Sequence, residues 1–317
     1  MPAPRFQPVP RGFLDQPQLA PGALRPGDIA VFGAGHGTPY GSTTDIGYDL
    51  ATGSADAPGA LRSGANESST NIDHYDFDLG GPLMGDNTRR LVDCGDLVLT
   101  PGDGPANRAA IRSGTAALLA AGATPILLGG DDSVPIPFLA AFDAIGPVDI
   151  LQIDAHIDWR DDIGGERMGY SSTMRRASEQ GFVRSITQVG MRGVGSARPA
   201  EVADALGWGA RLITVAEARD IGPLGVLAAI PSGGNLLIHI DCDALDPSVC
   251  PAVNAPTPGG FQYDELAALL RTVIAGRPTA GASIVELAPA HDLNAISAIT
   301  AARLVCNIIG AIARRPS

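Results

Sequence analysis

Two short segments of the sequence each end an apolar run in closely spaced acidic residues. The first contains Asp154, His156 and Asp158, and the second contains Asp241 and Asp243. If each run is a strand, residues two apart point to the same side, so each segment presents its acids to one volume. Carboxylates packed that closely would be driven neutral unless cations held them. We therefore interpret both segments as ligands of divalent metals, and a water-bridged pair of ions is the simplest arrangement.

A purely structural interpretation of these acids has to be weighed against metal binding. Acidic residues at the end of a strand often cap the next helix or turn, and one such segment alone would favour that interpretation. Two segments together, one with a histidine between its acids, favour metal because carboxylates and imidazoles are common ligands. Cys242 alternates to the opposite face of its strand, so we interpret it as a core residue.

The other histidines carry a weaker signal. His36 follows the first predicted strand and is a candidate for the wall of the site. His239 has the same parity as the acids of its segment but lies deeper in the strand, so we interpret it as a packed core residue.

Composition excludes several classes of function. The net charge of −12 argues against a nucleic-acid partner and is compatible with a small cationic substrate. All 22 basic residues are arginine, so the chain has no lysine. An enzyme that forms a Schiff base, a pyridoxal-phosphate enzyme and a phosphate-binding loop all need that amine and are excluded.

Cysteine usage and hydropathy bear on the compartment. The four cysteines show no paired metal-ligand spacing and are typical of reduced thiols, so we expect a cytoplasmic protein. We find no apolar run long enough to span a bilayer and no signal-peptide core near the N-terminus. We therefore expect no membrane partner.

The elements that would position the acids alternate along the chain. Apolar runs predict strands, and between many of them amphipathic patterns predict helices. This alternation predicts an α/β fold of three layers, α/β/α, with a mostly parallel central sheet, in which ligands bind at the carboxyl ends of strands. The strands are predicted at 28–33, 125–129, 148–154, 185–192, 211–215, 235–243 and 282–287, and the helices at 106–121, 199–206, 263–274 and 295–315.

The sequence shows no convincing internal domain boundary. Residues 1–27 are proline-rich and unpatterned, which predicts an N-terminal arm on the surface or on a neighbouring subunit. Residues 28–317 are predicted to form a single domain. Within it, residues 34–104 are rich in Gly, Ser and Asp, which predicts long loops that rim the site.

The two acidic segments and five further motifs, taken together, resemble the ureohydrolase (arginase/agmatinase) superfamily, and its agmatinase branch in particular. The further motifs occur in the family's order at 57–62, 92–96, 128–133, 258–260 and 285–289, so the resemblance covers about residues 28–312. It implies an arginase-like fold and two manganese ions, or nickel in some members. It also implies hydrolysis of a small guanidino compound to urea and an amine, in a homo-trimer or hexamer.

The resemblance also assigns roles to single residues. Six would be metal ligands, and Glu286 would receive the guanidinium group, a pairing that suits a carboxylate. Asp154 and Asp241 would bridge the two ions, and Asp158 would also orient the attacking hydroxide. The six implied ligands are Asp132, Asp154, His156, Asp158, Asp241 and Asp243.

Two positions depart from the family's pattern. Asp132 stands where the family usually has a histidine ligand, which leaves one excess negative charge and favours oxygen-preferring metals such as manganese. Tyr170, followed by Ser171, aligns with a histidine of the agmatinase pattern that is thought to line the substrate channel. A tyrosine is a poor proton shuttle near neutral pH, so the substrate can differ from agmatine. We expect Tyr170, Ser171 and His36 to contact it.

The departures leave an alternative function open. The chain could be a non-catalytic or regulatory subunit that pairs with an active relative, including in a hetero-oligomeric guanidine or biguanide hydrolase. Against this, the other implied ligands and Glu286 all persist. Specificity is expected to depend on loops 34–60 and 159–175, whose sequence does not identify the substrate.

Overall fold

The computed structural model describes residues 4–40, 53–67, 71–86, 89–195 and 197–315. Part of one loop expected to determine specificity, residues 41–52, lies outside these described residues.

One nine-stranded sheet forms the centre of the described structure. Its order is β1-β5-β2-β6-β11-β10-β7-β8-β9, and all pairs are parallel except the pair between the edge strand β1 and its neighbour β5. The strands of this sheet are β1 (Phe6–Gln7), β2 (Ile29–Ala34), β5 (Leu91–Leu97), β6 (Thr124–Gly129), β7 (Val148–Ile153), β8 (Val183–Met191), β9 (Arg211–Thr214), β10 (Asn235–Asp241) and β11 (Thr279–Val285). A separate small hairpin comprises β3 (Tyr75–Asp76) and β4 (Gly81–Pro82).

Helices cover both faces of this sheet. The helices are α1 (Ala57–Ala65), α2 (Gly104–Ala120), α3 (Pro135–Ala140), α4 (Thr173–Ser178), α5 (Pro199–Trp208), α6 (Val215–Ala229), α7 (Tyr263–Gly276) and α8 (Ile296–Arg314). Alternate residues of β2 enter two separate cores: Ile29 and Val31 belong to the core that α1, α6, α7 and α8 cover, whereas Ala30 and Phe32 belong to the core that α2, α3, α4 and α5 cover. The strands are apolar on both sides for this reason. The three-layer α/β prediction is confirmed.

The region 34–104 differs from the predicted long loops. It contains α1 and β5, and β5 pairs with β2 inside the sheet. The alternation of β5 was obscured by its acids, because Asp93 is fully buried and bound by Arg62 of α1 rather than exposed. Hydropathy therefore did not predict this strand, because one of its buried residues is a charged partner of an ion pair.

The N-terminal segment packs on its own chain within the described residues. Phe6 of β1 pairs with Leu97 of β5, and Phe13 is completely buried in the core.

Helix α8 differs from the expectation that no apolar segment is long enough to span a membrane. Its 19 residues and mean hydropathy of 1.8 meet that criterion by length and composition. However, 72% of this stretch is buried inside the protein, where α8 packs against α1 and α7. Its apolar surface is thus part of the core.

Candidate metal centre and active site

Polar residues follow the four strands at the centre of the sheet. Asp132 comes after β6, Glu286 after β11, and Asp154 after β7, while Asp241 is the last residue of β10. Because these strands are neighbours in the order β6-β11-β10-β7 and run parallel, their carboxyl ends deliver all four side chains to one place.

Two groups of side chains in this place have the spacing of metal ligands. One comprises Asp154, His156 and Asp243, and the other comprises Asp132, Asp154 and His239; within each group the ligand atoms lie within 4.8 Å of one another. Asp154 belongs to both groups. Asp158 and Asp241 line the same cavity as members of both groups. The structure therefore brings together all six residues predicted as ligands, and adds a histidine.

The loop that carries Asp132 is held tightly at both ends. A side chain at Gly130 would meet the carbonyl oxygen of His36 at 1.8 Å, so only glycine fits there. The amide of Asp132 donates to Oε1 of Glu286 at 2.8 Å, and the hydroxyl of Thr173 donates to the Asp132 carbonyl. The side-chain oxygens of Asp132 are buried without a hydrogen-bond partner among the described residues.

His239 is buried, as predicted, but it faces the acids. Its Nε2 lies 2.7 Å from Oδ1 of Asp132, and its Nδ1 lies 3.0 Å from the hydroxyl oxygen of Ser283. Burial lowers the pKa of His239 to about 4 despite the nearby charges of Asp154 and Asp243. Its imidazole is therefore neutral at pH 7, the form that binds metals.

The acids near β7 and β10 are oriented by short contacts. Asp243 lies in a 3-10 turn just after β10, where its amide donates to Oδ1 of Asp241 at 2.8 Å. Its own carboxylate accepts from the amide of Ala155 at 3.1 Å and lies 2.9 Å from Nδ1 of His156. The two acidic segments are thus fixed to each other.

Gln152 was not predicted as a site residue, but it contacts two of the acids. Its Nε2 lies 2.7 Å from Oδ2 of Asp154 and 2.7 Å from Oδ2 of Asp158, and it is completely buried. Gln188 of β8 donates to its side-chain oxygen, which fixes the orientation of the amide. The parity of β7, which places Gln152 on the face of Asp154, was the available signal.

Electrostatics show that these carboxylates lie too close together to be charged at once. Burial, reinforced by the charge on Asp154, raises the pKa of Asp132, Asp158 and Asp243 above the usual range. Burial and the charge on Asp243 raise the pKa of Asp241 as well.

The pKa values of two other residues in the cluster shift in the direction that favours their charged forms. Burial alone would raise the pKa of Asp154, but hydrogen bonds involving His156 and Asp158 lower it to about 2. Burial would lower the pKa of His156, but the carboxylates of Asp243 and Asp154 raise it to about 12. Negative charge therefore dominates this volume.

The donor set fits divalent cations. Carboxylate oxygens with imidazole nitrogens suit manganese and related ions, and the unpartnered oxygens of Asp132 have no protein donor that a metal would displace. Cations would also remove the mutual repulsion that drives these acids toward their neutral forms.

Glu286 lies beside this cluster, with both carboxylate oxygens held. Its Oε1 accepts from the Asp132 amide, and its Oε2 accepts from the side-chain amide of Asn254 at 3.1 Å. Burial, with the charge on Asp131, raises the pKa of Glu286 to about 8. Its backbone φ is 65° and that of Asp158 is 46°, values that non-glycine residues seldom adopt and that often occur at functional sites.

A cavity of about 100 Å³ opens onto the cluster. Tyr170 and Ser171 line it, and the ring of Tyr170 packs on Tyr40 with 4.6 Å between centroids. Arg160 and Glu201 line it as well, with Nε of Arg160 3.5 Å from Oε1 of Glu201. The cavity thus offers one positively and one negatively charged side chain outside the cluster of metal-ligand candidates.

His36 is not brought to the cavity wall in the described structure. It is largely buried, with Nδ1 3.3 Å from the side-chain nitrogen of Asn107 and Nε2 3.5 Å from the hydroxyl of Thr38. Its backbone carbonyl instead lies against Gly130, in the loop that carries Asp132. The other residues predicted to contact substrate, Tyr170, Ser171 and Glu286, do line the cavity.

Comparison with known proteins gives one consistent result. The sequence model of the arginase family matches residues 36–310. Proclavaminate amidinohydrolase of Streptomyces clavuligerus is 29% identical over 90% of this chain and 88% of its own length. Agmatinase of Proteus mirabilis is 28% identical over 86% of this chain and 88% of its own length.

A solved structure is similar over the whole chain. The proclavaminate amidinohydrolase structure from Streptomyces clavuligerus superimposes with a TM-score of 0.82 at 25% identity, covering 99% of this chain and 100% of that one. The sheet and its covering helices are therefore those of an arginase-like fold.

Proposed function

The chain belongs to the arginase family of hydrolases that cleave C–N bonds of guanidino compounds, and we propose that it is a metal-dependent amidinohydrolase. Its substrate would be a small guanidino compound, and its products urea and an amine. The observation that carries this proposal is the convergence of carboxylates and imidazoles from four neighbouring strand ends on the floor of one cavity. We propose manganese as the natural metal, with nickel as the alternative, because most of the donors are carboxylate oxygens.

A pair of bound divalent cations would supply charge neutralisation and make water a nucleophile near neutral pH. The ligands proposed to hold it are Asp132, Asp154, His156, Asp158, Asp241 and Asp243. Asp158 has a second role in this proposal, because Gln152 holds one of its oxygens while the residue lines the cavity. It would orient the attacking water and accept a proton from it.

Glu286 would bind the guanidinium group of the substrate. Its carboxylate is held by the Asp132 amide and by Asn254, so its position is set before a substrate enters. A guanidinium presents several N–H donors in one plane, which two carboxylate oxygens can accept together. The planar group would then lie beside the metal ligands with its carbon open to attack.

The proposed reaction is balanced without a further reagent. The oxygen of water forms a bond to the guanidinium carbon, and the bond from that carbon to the substituted nitrogen breaks. The two protons of water end on nitrogen, so the products are neutral urea and a protonated amine. Tyr170 lines the cavity and can donate a hydrogen bond to the substrate, but its high ordinary pKa makes it a weak proton carrier.

A urea-release screen tests the proposed function. Purified protein loaded with manganese or nickel is incubated with agmatine, arginine, guanidinobutyrate, guanidinopropionate, guanidine and biguanides. The set includes cationic and acidic tails because Arg160 and Glu201 offer both signs of charge. We expect urea from at least one compound, and less from Asp241→Ala, which lacks a proposed bridging ligand.

The same screen distinguishes a catalytic chain from the alternative, a non-catalytic subunit. That alternative rests on Asp132 and Tyr170, which depart from the family's pattern. If metal-loaded protein releases no urea from any of these compounds alone, but does so when mixed with an active relative, the chain is a partner subunit and the proposal is overturned.

A further inference from the structure

One buried histidine in the active-site region has no role in the mechanism above. His239 lies on β10, two residues before Asp241, and its side chain is completely buried. Its Nε2 has no hydrogen-bond partner among the described residues, although Oδ1 of Asp132 is only 2.7 Å away. The two atoms are therefore close without the geometry of a hydrogen bond.

The other ring nitrogen of His239 is engaged. Its Nδ1 lies 3.0 Å from the hydroxyl of Ser283, at the paired position on the neighbouring strand β11. If the protonated nitrogen is Nδ1, donating to this hydroxyl, then Nε2 presents a lone pair toward a carboxylate oxygen. Two acceptors facing each other repel unless a cation lies near both, which is how ligands of one metal face each other.

A third donor completes this set. Asp154 places a carboxylate oxygen within 4.8 Å of both Nε2 of His239 and an oxygen of Asp132. All three residues are buried.

We infer that His239 is a metal ligand, which forms one of the two metal positions together with Asp132 and Asp154. The imidazole that the family's pattern carries at position 132 would then be replaced by a carboxylate there and an imidazole from β10. Ser283 would be a positioning residue that fixes the orientation of the ring. This inference rests on the metal pair of the proposed function.

If the imidazole ligand is at position 239 instead of position 132, substitutions at these two positions should compensate for each other. Loss of the imidazole in His239→Asn should be compensated by a second change, Asp132→His, which returns an imidazole to the same metal. A residue that only fills space in the core would not be rescued in this way.

Metal binding by titration calorimetry with Mn²⁺, checked by elemental analysis, is the first test. Unaltered protein should bind two ions, and His239→Asn should bind one of them at least about 10-fold more weakly, the loss typical when a metal's supporting groups are removed. The double variant with Asp132→His should recover the second ion. Cys242→Ala is the matched control, because Cys242 is equally buried on the same segment and should change neither affinity.

A second measurement uses the protein without substitution. With Co²⁺ in both positions, each coordinated imidazole gives a strongly shifted N–H signal in the proton NMR spectrum. We expect two such signals, one from His156 and one from His239, identified by selective histidine labelling.

The possible results distinguish this inference from the proposed function. Two bound ions with unchanged affinities in His239→Asn, or a single shifted imidazole signal from His156, would overturn the role of His239 alone. Unaltered protein that binds no metal would instead overturn the metal pair itself. If His239→Asn fails to fold, the number of shifted signals decides the question.

Discussion

The carboxylate of Glu286 is held by two protein donors and still lines the cavity. Glu286→Gln keeps the shape of the side chain but replaces one acceptor with a donor, so a guanidinium loses a charged partner. A hydrogen bond to a charged group contributes about 1.5–3 kcal/mol, so kcat/KM for urea release should fall about 10-fold or more. Steady-state kinetics on the substrate found in the screen measure this.

Metal content separates the two roles available to Glu286. In the same variant, elemental analysis should still give the metal content of the unaltered protein, because Glu286 is not among the proposed ligands. Normal turnover by Glu286→Gln would show that another group binds the guanidinium.

At the scale of elements, the apolar strands and long helices could be predicted from sequence. The predicted strand 148–154 and the structure's Val148–Ile153 nearly coincide, because a strand buried on both faces is a continuous apolar run. The helix Tyr263–Gly276 was equally accessible through its periodicity. The acids follow these strands directly in sequence, which is why the ligand candidates could be identified.

The elements that were not predicted depend on contacts between distant residues. Strand β5 and helix α1 are joined by a buried ion pair, in which Arg62 binds both oxygens of Asp93 at 2.8 and 3.0 Å. The contacts of His239 with Asp132, 107 positions earlier in the sequence, are of the same kind. Local sequence patterns contain no information about either pairing. For that reason the strand around Asp93 was predicted as a loop, and His239 was interpreted only as a packed core residue.

Arg62 should be essential for joining α1 to β5. The substitution Arg62→Ala leaves the buried carboxylate of Asp93 without its partner, and breaking such a pair costs about 3–5 kcal/mol. Unfolding in denaturant measures the loss. Arg11→Ala is the control, because its pair with Asp15 is exposed on both sides and is screened by solvent, so its loss should change stability much less. Equal effects of the two substitutions would contradict this account.

Asp149 links three elements at the amino-terminal end of β7. Its carboxylate accepts from Nε of Arg184 on β8 at 2.9 Å and from Nη2 of Arg277, just after α7, at 2.6 Å. Burial would raise the pKa of Asp149, but hydrogen bonds from Arg184 and Ser185 outweigh burial and lower it. The carboxylate therefore stabilises the fold fully above its unfolded pKa of about 3.9, and this contribution is lost as the pH falls through the lower folded value.

The substitution Asp149→Asn should therefore be costly at neutral pH and much less so in acid. We expect a loss of about 3 kcal/mol at pH 7, as for a broken buried pair. The difference from unaltered protein should shrink below about pH 4. Chemical denaturation at several pH values measures it, with Asp143→Asn in an exposed pair with Arg112 as the control. A difference that stays constant down to pH 3 would exclude this ionisation as its origin.

At the scale of the whole molecule, the fold concentrates repulsion where it would bind ions. The charge is −12 overall, and four buried aspartates converge with the half-buried Asp158 where one cavity opens. We also propose that the chain assembles into a homo-trimer or hexamer, which a mass measurement in solution would test against the 32.4 kDa of one chain.

Metal binding should therefore stabilise the whole protein and not only the active site. Ions that bind the folded chain alone stabilise it by about 2.7 kcal/mol per site when their concentration is 100 times Kd. Thermal unfolding with excess Mn²⁺ should thus occur several degrees higher than with a chelator. Asp241→Ala should lose most of this difference, since it removes a proposed bridging ligand, whereas Cys242→Ala, next to it on the buried side, should keep it. An unfolding temperature that is the same with Mn²⁺ and with chelator would mean that these acids are stable without ions and that the proposed centre is wrong.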